Sequence, residues 1–418
     1  MIKRITLISA ILVSLAVFLG MTVAGSNPVM DEPRNPTGPA GLTAHEWGTF
    51  TTVAGVNGET IDWLPLSGPT DLPCFVKHFD AETIPVKVVA SPPLLSLSYT
   101  AARSQLIGSV RMETPVLYFY SANDQILDVT VGFPRGIVTE WYPTATVKPT
   151  AIQRNQLTSA ANTRASVTWN NVRVMPQAKL DYLKESAASH YYAARETDAS
   201  PIVINGAAEK FLFYRGVGQF PAPIRAIAQN DGKILLKNLS GIPRVILFES
   251  RGGKMGYRIV NTNQDEALVD SPPLTGDFAS LRLELEKTLV AQGLYAKEAK
   301  AMVDTWRDSW FEEGTRLFYI TPSAMVDDIL PLSIIPKPVS VARVFVGRIE
   351  LLTPATLRAV QQAVNSNDDQ KALQVYGRFL GPIIERISGQ AIPENKDMLR
   401  ILNAALKSYA TDLSSCGR

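Results

Sequence analysis

Between Thr43 and about residue 275 the chain consists largely of short runs of β-branched and aromatic residues closed by Gly, Pro, Asn or Asp. That texture leaves little besides strands for it to form. Residues 46–53, 114–120, 126–133, 136–142 and 166–169 are such runs, and 210–214, 233–237, 244–248 and 256–260 continue the series. Short strands punctuated in this way predict stacked antiparallel sheets of the sandwich type. The texture changes at Asp277. Leu281, Leu285 and Leu289 fall at helical spacing between a capping Asp277 and a terminating Gly293. Ala299, Val303, Trp306 and Trp310 mark the buried stripe of a second helix that ends near Gly314. Strand texture returns at 316–320 and 342–352. Thr353-Pro354 then caps and opens a helix to about Asn365, with more helix expected near 368–387 and 394–411. The expected fold class is α+β: a β-sandwich-rich N-terminal region, a helical hairpin, further strands and C-terminal helices.

The N-terminus carries an address. Lys3 and Arg4 precede an uncharged apolar run over 5–23, and Ala24-Gly25-Ser26 follows it. Basic, then apolar, then small is the layout of a secretory signal peptide. It predicts a mature N-terminus between Gly25 and Pro28 in an extracytoplasmic compartment, periplasmic or secreted. The alternative is an uncleaved membrane anchor through residues 5–24, since the run approaches the length of a spanning helix. The organisation expected is a signal or anchor over 1–26, a Pro-rich tether over 27–42, a β-sandwich region over 43–275 and a helical/mixed region over 276–418.

Charge and rare residues exclude several functions. The chain holds 41 Lys plus Arg against 39 Asp plus Glu, with no basic stripe, so a nucleic-acid partner is not expected. Loss of Lys3 and Arg4 with the signal would make it neutral. Two cysteines, Cys74 and Cys416, are too few for a zinc cluster or a CxxC redox pair. Export permits a Cys74–Cys416 disulfide, and a buried thiol with a loose tail thiol is the equal alternative. With three histidines and no HExxH, phosphate loop or GxSxG elbow, no metal site and no cofactor are expected.

Distinctive instead are polar groups inside aromatic strands. His45 and Glu46 precede Trp47, Arg111 and Glu113 introduce an apolar strand, and Arg135 and Glu140 bracket the run that ends at Trp141 and Tyr142. Glu312, Glu313 and Arg316 follow Trp310, and Arg343, Arg348 and Glu350 lie in a late strand. Side chains alternate along a strand. His45, Trp47 and Thr49 therefore share one face and Glu46, Gly48 and Phe50 the other. Arg111 shares a face with Glu113, and Glu140 with Val138 and Tyr142. Carboxylates beside aromatic rings suit sugar recognition or acid/base chemistry, and strand-end ion pairing is the plainer role.

These segments resemble a family of uncharacterised exported bacterial proteins. The resemblance rests on HEWGTF at 45–50, METPVLYFY at 112–120, TEWYP at 139–143, RDSWFEEG at 307–314 and RVFVGRIE at 343–350. It implies one architecture over most of the mature chain and no particular activity. Two functional readings follow. The first is a non-catalytic envelope or extracellular protein that binds a glycan or a protein ligand, with Arg111, Arg135, Trp47 and Trp141 as binding residues. The second is a secreted, carbohydrate-active hydrolase using paired carboxylates. Its candidates are Glu113, Glu140, Glu46, Glu312 and Glu313, with His45 beside them. The residues alone leave open whether the protein is an enzyme.

Overall fold

Strand β1 (Thr43–Ala54) is buried along its whole length after the first residue. A strand apolar enough to be covered on both faces belongs in the middle of a sheet. The computed structural model describes residues 41–67, 72–79, 105–152, 163–185, 189–366 and 375–389, with a few single positions between them. These lie in the compact unit Asn35–Arg418. The expected export segment, the tether to residue 40, most of the helix expected at 394–411 and Cys416 lie outside the described residues, and with Cys416 goes the expected disulfide.

Further strands follow β1 in chain order: β2 (Lys77–His78), β3 (Val110–Tyr120), β4 (Gln125–Phe133), β5 (Gly136–Tyr142), β6 (Thr146–Lys148) and β7 (Ala165–Val174). Next come β8 (Ile202–Ile204), β9 (Ala207–Glu209), β10 (Leu212–Gly218), β11 (Ile224–Ala228), β12 (Ile234–Asn238), β13 (Arg244–Arg251), β14 (Lys254–Asn261) and β15 (Glu266–Val269). Helices α1 (Phe278–Ala291) and α2 (Ala296–Trp310) precede β16 (Gly314–Ile320), α3 (Ser323–Ile329), β17 (Leu332–Ile335) and β18 (Ser340–Leu351). Helices α4 (Pro354–Asn365) and α5 (Leu380–Ser388) end the described chain.

One nine-stranded sheet, ordered β14-β13-β16-β18-β1-β3-β10-β5-β2, organises the molecule. At its centre β1 pairs parallel with β18 and antiparallel with β3. The composition boundary near residue 275 therefore does not divide sheets, because late strands β16 and β18 lie between β13 and β1.

Both faces of this sheet are covered. On one, Phe50, Leu117 and Phe345 pack against Val129, Val167 and Trp169 of a six-stranded sheet. Further along the same face, Leu247, Leu317 and Ile349 meet Ile224 and Leu236 of the three-stranded sheet β11-β12-β15. The opposite face carries helices. Trp47, Tyr118 and Phe318 pack under Leu281, Leu285 and Leu289 of α1 and Trp306 and Trp310 of α2. Val53 and Leu352 pack under α4 and α5. Each fully buried Leu of α1 contributes about 1.5–3 kcal/mol, which is what holds this helix to the sheet. The fold is α+β, with smaller sheets on one side of the large sheet and helices on the other.

Candidate functional site

Period-two alternation in β1 sends His45, Trp47, Thr49, Thr51 and Val53 to the helical face and Glu46 and Phe50 to the sheet-packed face, where Phe50 stacks on Phe345. Between the apolar patches under the two helix pairs, the helical face turns polar. Thr51 lies between Arg348 of β18 and Arg111 of β3, and Thr49 lies between Val346 and Glu113. Strands β18 and β3 stand two strand spacings apart, roughly 9–10 Å. Only two small threonines occupy β1 between them, so long side chains on either flank can meet over this pair. Beside it β3 is irregular: its register with both β1 and β10 breaks next to Thr114, which has φ +44°. A β-branched residue there is strained. The bulge re-aims the strand, and Thr114 Oγ1 accepts from Arg215 Nε at 3.2 Å.

The flanking side chains are charged. Arg111 Nε is 3.6 Å from Glu113 Oε1, and Arg378 Nη1 is 3.1 Å from the same oxygen. Arg378 also reaches Glu312 at 3.7 Å, and Arg348 Nη2 donates to Glu312 at 2.6 Å and to Glu350 at 3.3 Å. Arg316 Nε donates to Glu350 Oε2 at 2.9 Å and its other nitrogens to the carbonyls of Trp310, Glu312 and Glu313. Phe379 lies under both Arg348 and Arg378, at 4.9 and 5.2 Å, and stacks on Trp63. Motifs from β3, the end of α2, β16 and β18 thus meet in one network. Arg111, Arg316, Arg348, Glu113 and Glu350 are buried in it, while Glu312 and Arg378 retain side-chain exposures of 24% and 11%.

Among the described residues, the guanidiniums of Arg111, Arg215, Arg316, Arg348 and Arg378 therefore gather about the carboxylates of Glu113, Glu312 and Glu350. Burial alone would raise the pKa of Glu113, but Arg378, Arg111, Arg348 and Arg215 together outweigh it and hold the carboxyl below its ordinary range. Arg348 is shifted down by burial and by its neighbours Arg316 and Arg378, against the opposing pull of Glu312 and Glu350. Among the described residues, no hydrogen bond reaches either oxygen of Glu113, the hydroxyls of Thr49 and Thr51, or Nε and Nη1 of Arg348.

The other candidates lie elsewhere. His45 Nδ1 is 2.8 Å from Glu298 Oε2 under α2, where Tyr120 OH also donates to Glu298. Glu46, on the opposite face, accepts from Arg343 Nε at 2.6 Å and from Tyr214 OH. Glu140 is 3.9 Å from Arg103 and accepts from Thr139. Its expected face-sharing with both Val138 and Tyr142 is corrected. A register break in β5 opposite Arg215/Gly216 puts Val138 in the core between sheets and Tyr142 in the core under the helices. Glu313 accepts from the Gly252 N–H at 2.8 Å, and Arg135 is exposed in the β4–β5 turn. Trp47 is fully buried and offers no ring to a ligand, and Trp141 is half-buried against the core. Arg378 escaped the sequence reading because it sits in a turn before α5 with no motif around it.

Among the described residues, a groove of about 1010 Å³ lies open between α1 and the sheet end near Ile320. Its floor includes Ile246, Leu289, Phe318 and Val346, and its rim Arg244, Asn263, Lys287 and Gln292. Where β16 stops, β18 runs on toward Ser340 without a second strand beside it among the described residues. The Phe345 C=O accepts from Thr321 N on that side, so by alternation Arg343 and Val341 also direct their backbone groups there. Val341, Ala342 and Arg343 line the groove.

Among the described residues, no cluster of three or more His, Cys, Asp or Glu could hold a metal ion, and no helix is long and apolar enough to cross a membrane. No protein-family model matches the chain, and no curated protein matches it either.

Proposed function

We propose that this is an exported, non-catalytic binding protein whose ligand is an extended segment of another polypeptide, taken along the open edge of β18 in the groove. The observation that carries the reading is that edge: backbone donors and acceptors of Val341 and Arg343 border a groove with an apolar floor and a polar rim. A chain laid there would gain main-chain hydrogen bonds from β18 and side-chain pockets from the floor, which is how strand addition works. Engagement of the candidate carboxylates favours binding over hydrolysis. Glu46, Glu113, Glu140 and Glu312 each face a guanidinium, and Glu113 is held ionised rather than kept neutral as a proton donor. Burial of Trp47 favours a protein ligand over a glycan, because ring stacking needs an accessible face.

The test pans a random-peptide display library on the protein and measures the selected peptides by calorimetry. Proline at Val341 removes an N–H that serves the groove and not β1, so Val341→Pro is expected to keep the fold and abolish peptide binding. Peptides that bind this variant undiminished, or a glycan array that yields ligands where the peptide library yields none, would overturn the reading. N-terminal sequencing from the native host tests export, with a first residue between Gly25 and Pro28 expected and full-length protein in the cytoplasm counting against it.

A further inference from the structure

We infer that a concavity at the turn after β1, apart from the groove, binds a neutral sugar ring. It measures about 420 Å³, within the roughly 300–1,000 Å³ usual for small-molecule sites. Residues 58–62 after β1, 219–222 between β10 and β11, Arg225 of β11 and Leu239 after β12 frame it. Local hydrogen bonds fix that frame. The Gly55 N–H donates to the Glu59 carbonyl at 2.7 Å, the Gln219 N–H to the Arg135 carbonyl at 3.1 Å, and the Ala222 N–H to Thr60 Oγ1 at 3.3 Å. Gly58 has φ +71°, and a Cβ there would stand 2.7 Å from the Ile227 side chain, so the turn lies directly against β11. The polar groups of the site are therefore held in place before a ligand arrives.

Those groups match hydroxyls better than they match ions. Gln219 Nε2 donates to both oxygens of Asp62 at 3.1 Å, and a carboxylate has lone pairs for more donors than that one. Partial burial raises the Asp62 carboxyl above its ordinary value despite those bonds, so water meets its acceptor capacity incompletely. Arg225 Nη2 lies 3.2 Å from Glu59 Oε1, and the two side chains keep exposures of 40% and 58%, which leaves donors of one and acceptors of the other within reach. Two carboxylates beside one guanidinium disfavour an anion, and the guanidinium among them disfavours an amine. A sugar hydroxyl donates and accepts at once. It can give its proton to Asp62 or Glu59 and accept from Arg225. Pro221 and Leu239, both exposed on the rim, offer apolar surface to the C–H face of the ring, so the site needs no accessible tryptophan.

Saturation-transfer NMR and calorimetry on the full chain test the site, with the methyl glycosides of glucose, galactose, mannose and N-acetylglucosamine as probes. Putrescine and citrate serve as ionic counterparts. At least one glycoside is expected to bind saturably, and both ionic probes are expected to fail. Asp62→Asn replaces a charged acceptor by a neutral one and is expected to weaken that sugar about tenfold or more at an unchanged melting temperature. Leu239→Ala, at an exposed position, is expected to weaken it about fivefold and decides the matter if Asp62→Asn does not fold. Tighter binding of an oligosaccharide ending in that sugar than of the glycoside identifies the source as the end of a glycan chain, and equal binding as the single sugar. Folded protein that binds none of the four sugars overturns the inference. So does putrescine bound in their place, or sugar binding that neither variant weakens. Val341→Pro is expected to leave sugar binding intact and Asp62→Asn to leave peptide binding intact, so this site and the groove stand or fall separately.

Discussion

Glu113 shows how much one residue's surroundings decide. Its carboxyl is held below the ordinary value of 4.5 because the guanidiniums around it outweigh the cost of burial. A group whose folded pKa is depressed contributes stability above its unfolded pKa and loses it as pH falls through the folded value. The stability gap between wild type and Glu113→Gln is therefore expected to be widest at neutral pH and to narrow below about pH 4.5, read by urea denaturation across pH. A gap independent of pH would contradict the assigned electrostatics. Glu350 acts on two partners at once: removing it in Glu350→Ala leaves Arg316 and Arg348 short of a buried counter-charge and is expected to cost about 3–5 kcal/mol in the same measurement. Part of this network is legible in the sequence. Arg111 and Glu113 share a face by strand alternation alone, as do Arg348 and Glu350. Their meeting is not legible, because the register that sets Thr51 between Arg348 and Arg111 joins segments about 300 residues apart, and no local pattern encodes it. Trp47 misleads for a related reason: beside charged residues it looks like a ligand platform, yet it faces α1 and α2.

At the scale of elements, legibility follows the strength of local signals. Helices α1, α2 and α4 fall where caps and apolar spacing put them, and the long central strands lie within a few residues of their expected bounds. Short strands such as β2, β6, β8, β9 and β17 were missed, since two to four residues carry no measurable alternation and exist only because a longer neighbour offers a free edge. The bulges at Thr114 and in β5 were missed too, and they decide which way Glu140 and Arg215 point. Helix α4 offers a direct test of a legible signal. Thr353 Oγ1 accepts from Thr356 N at 3.3 Å and Pro354 opens the first turn, while Val360 and Val364 seat the helix against the sheet. Thr353→Ala is expected to lose about 1 kcal/mol of unfolding free energy in urea denaturation. Thr353→Ser, which keeps the acceptor, is expected to retain most of it. Equal losses in the two variants would assign the effect to packing instead of the cap.

At the scale of the whole molecule, the sheet order makes the two composition regions interdependent. Residues 43–275 supply β1, β3, β10 and β5 at one end of the large sheet and β13 and β14 at the other, while β16 and β18 between them come from after residue 275. A chain ending at 275 would split that sheet into two pieces and strip β1 of its parallel partner along its whole length. It would also expose the helical face, including Trp47 and Tyr118, and leave Arg111 and Glu113 without Arg348 and Arg378. The loss of apolar burial and the unpaired charges act in the same direction, and neither small sheet can substitute for the missing strands. The fragment 43–275 is therefore expected to show strand content by far-UV circular dichroism, but no cooperative melting and no slowly exchanging amides in β1. The body beginning near residue 41 and carrying β18 and α5 is expected to show both. A fragment that melts cooperatively and protects β1 would mean that the region before 275 folds without the strands now placed at the centre of the sheet. The closing step of folding is then the parallel pairing of β1 with β18, a contact between distant segments whose loop-closure entropy must be met before either sheet face is covered.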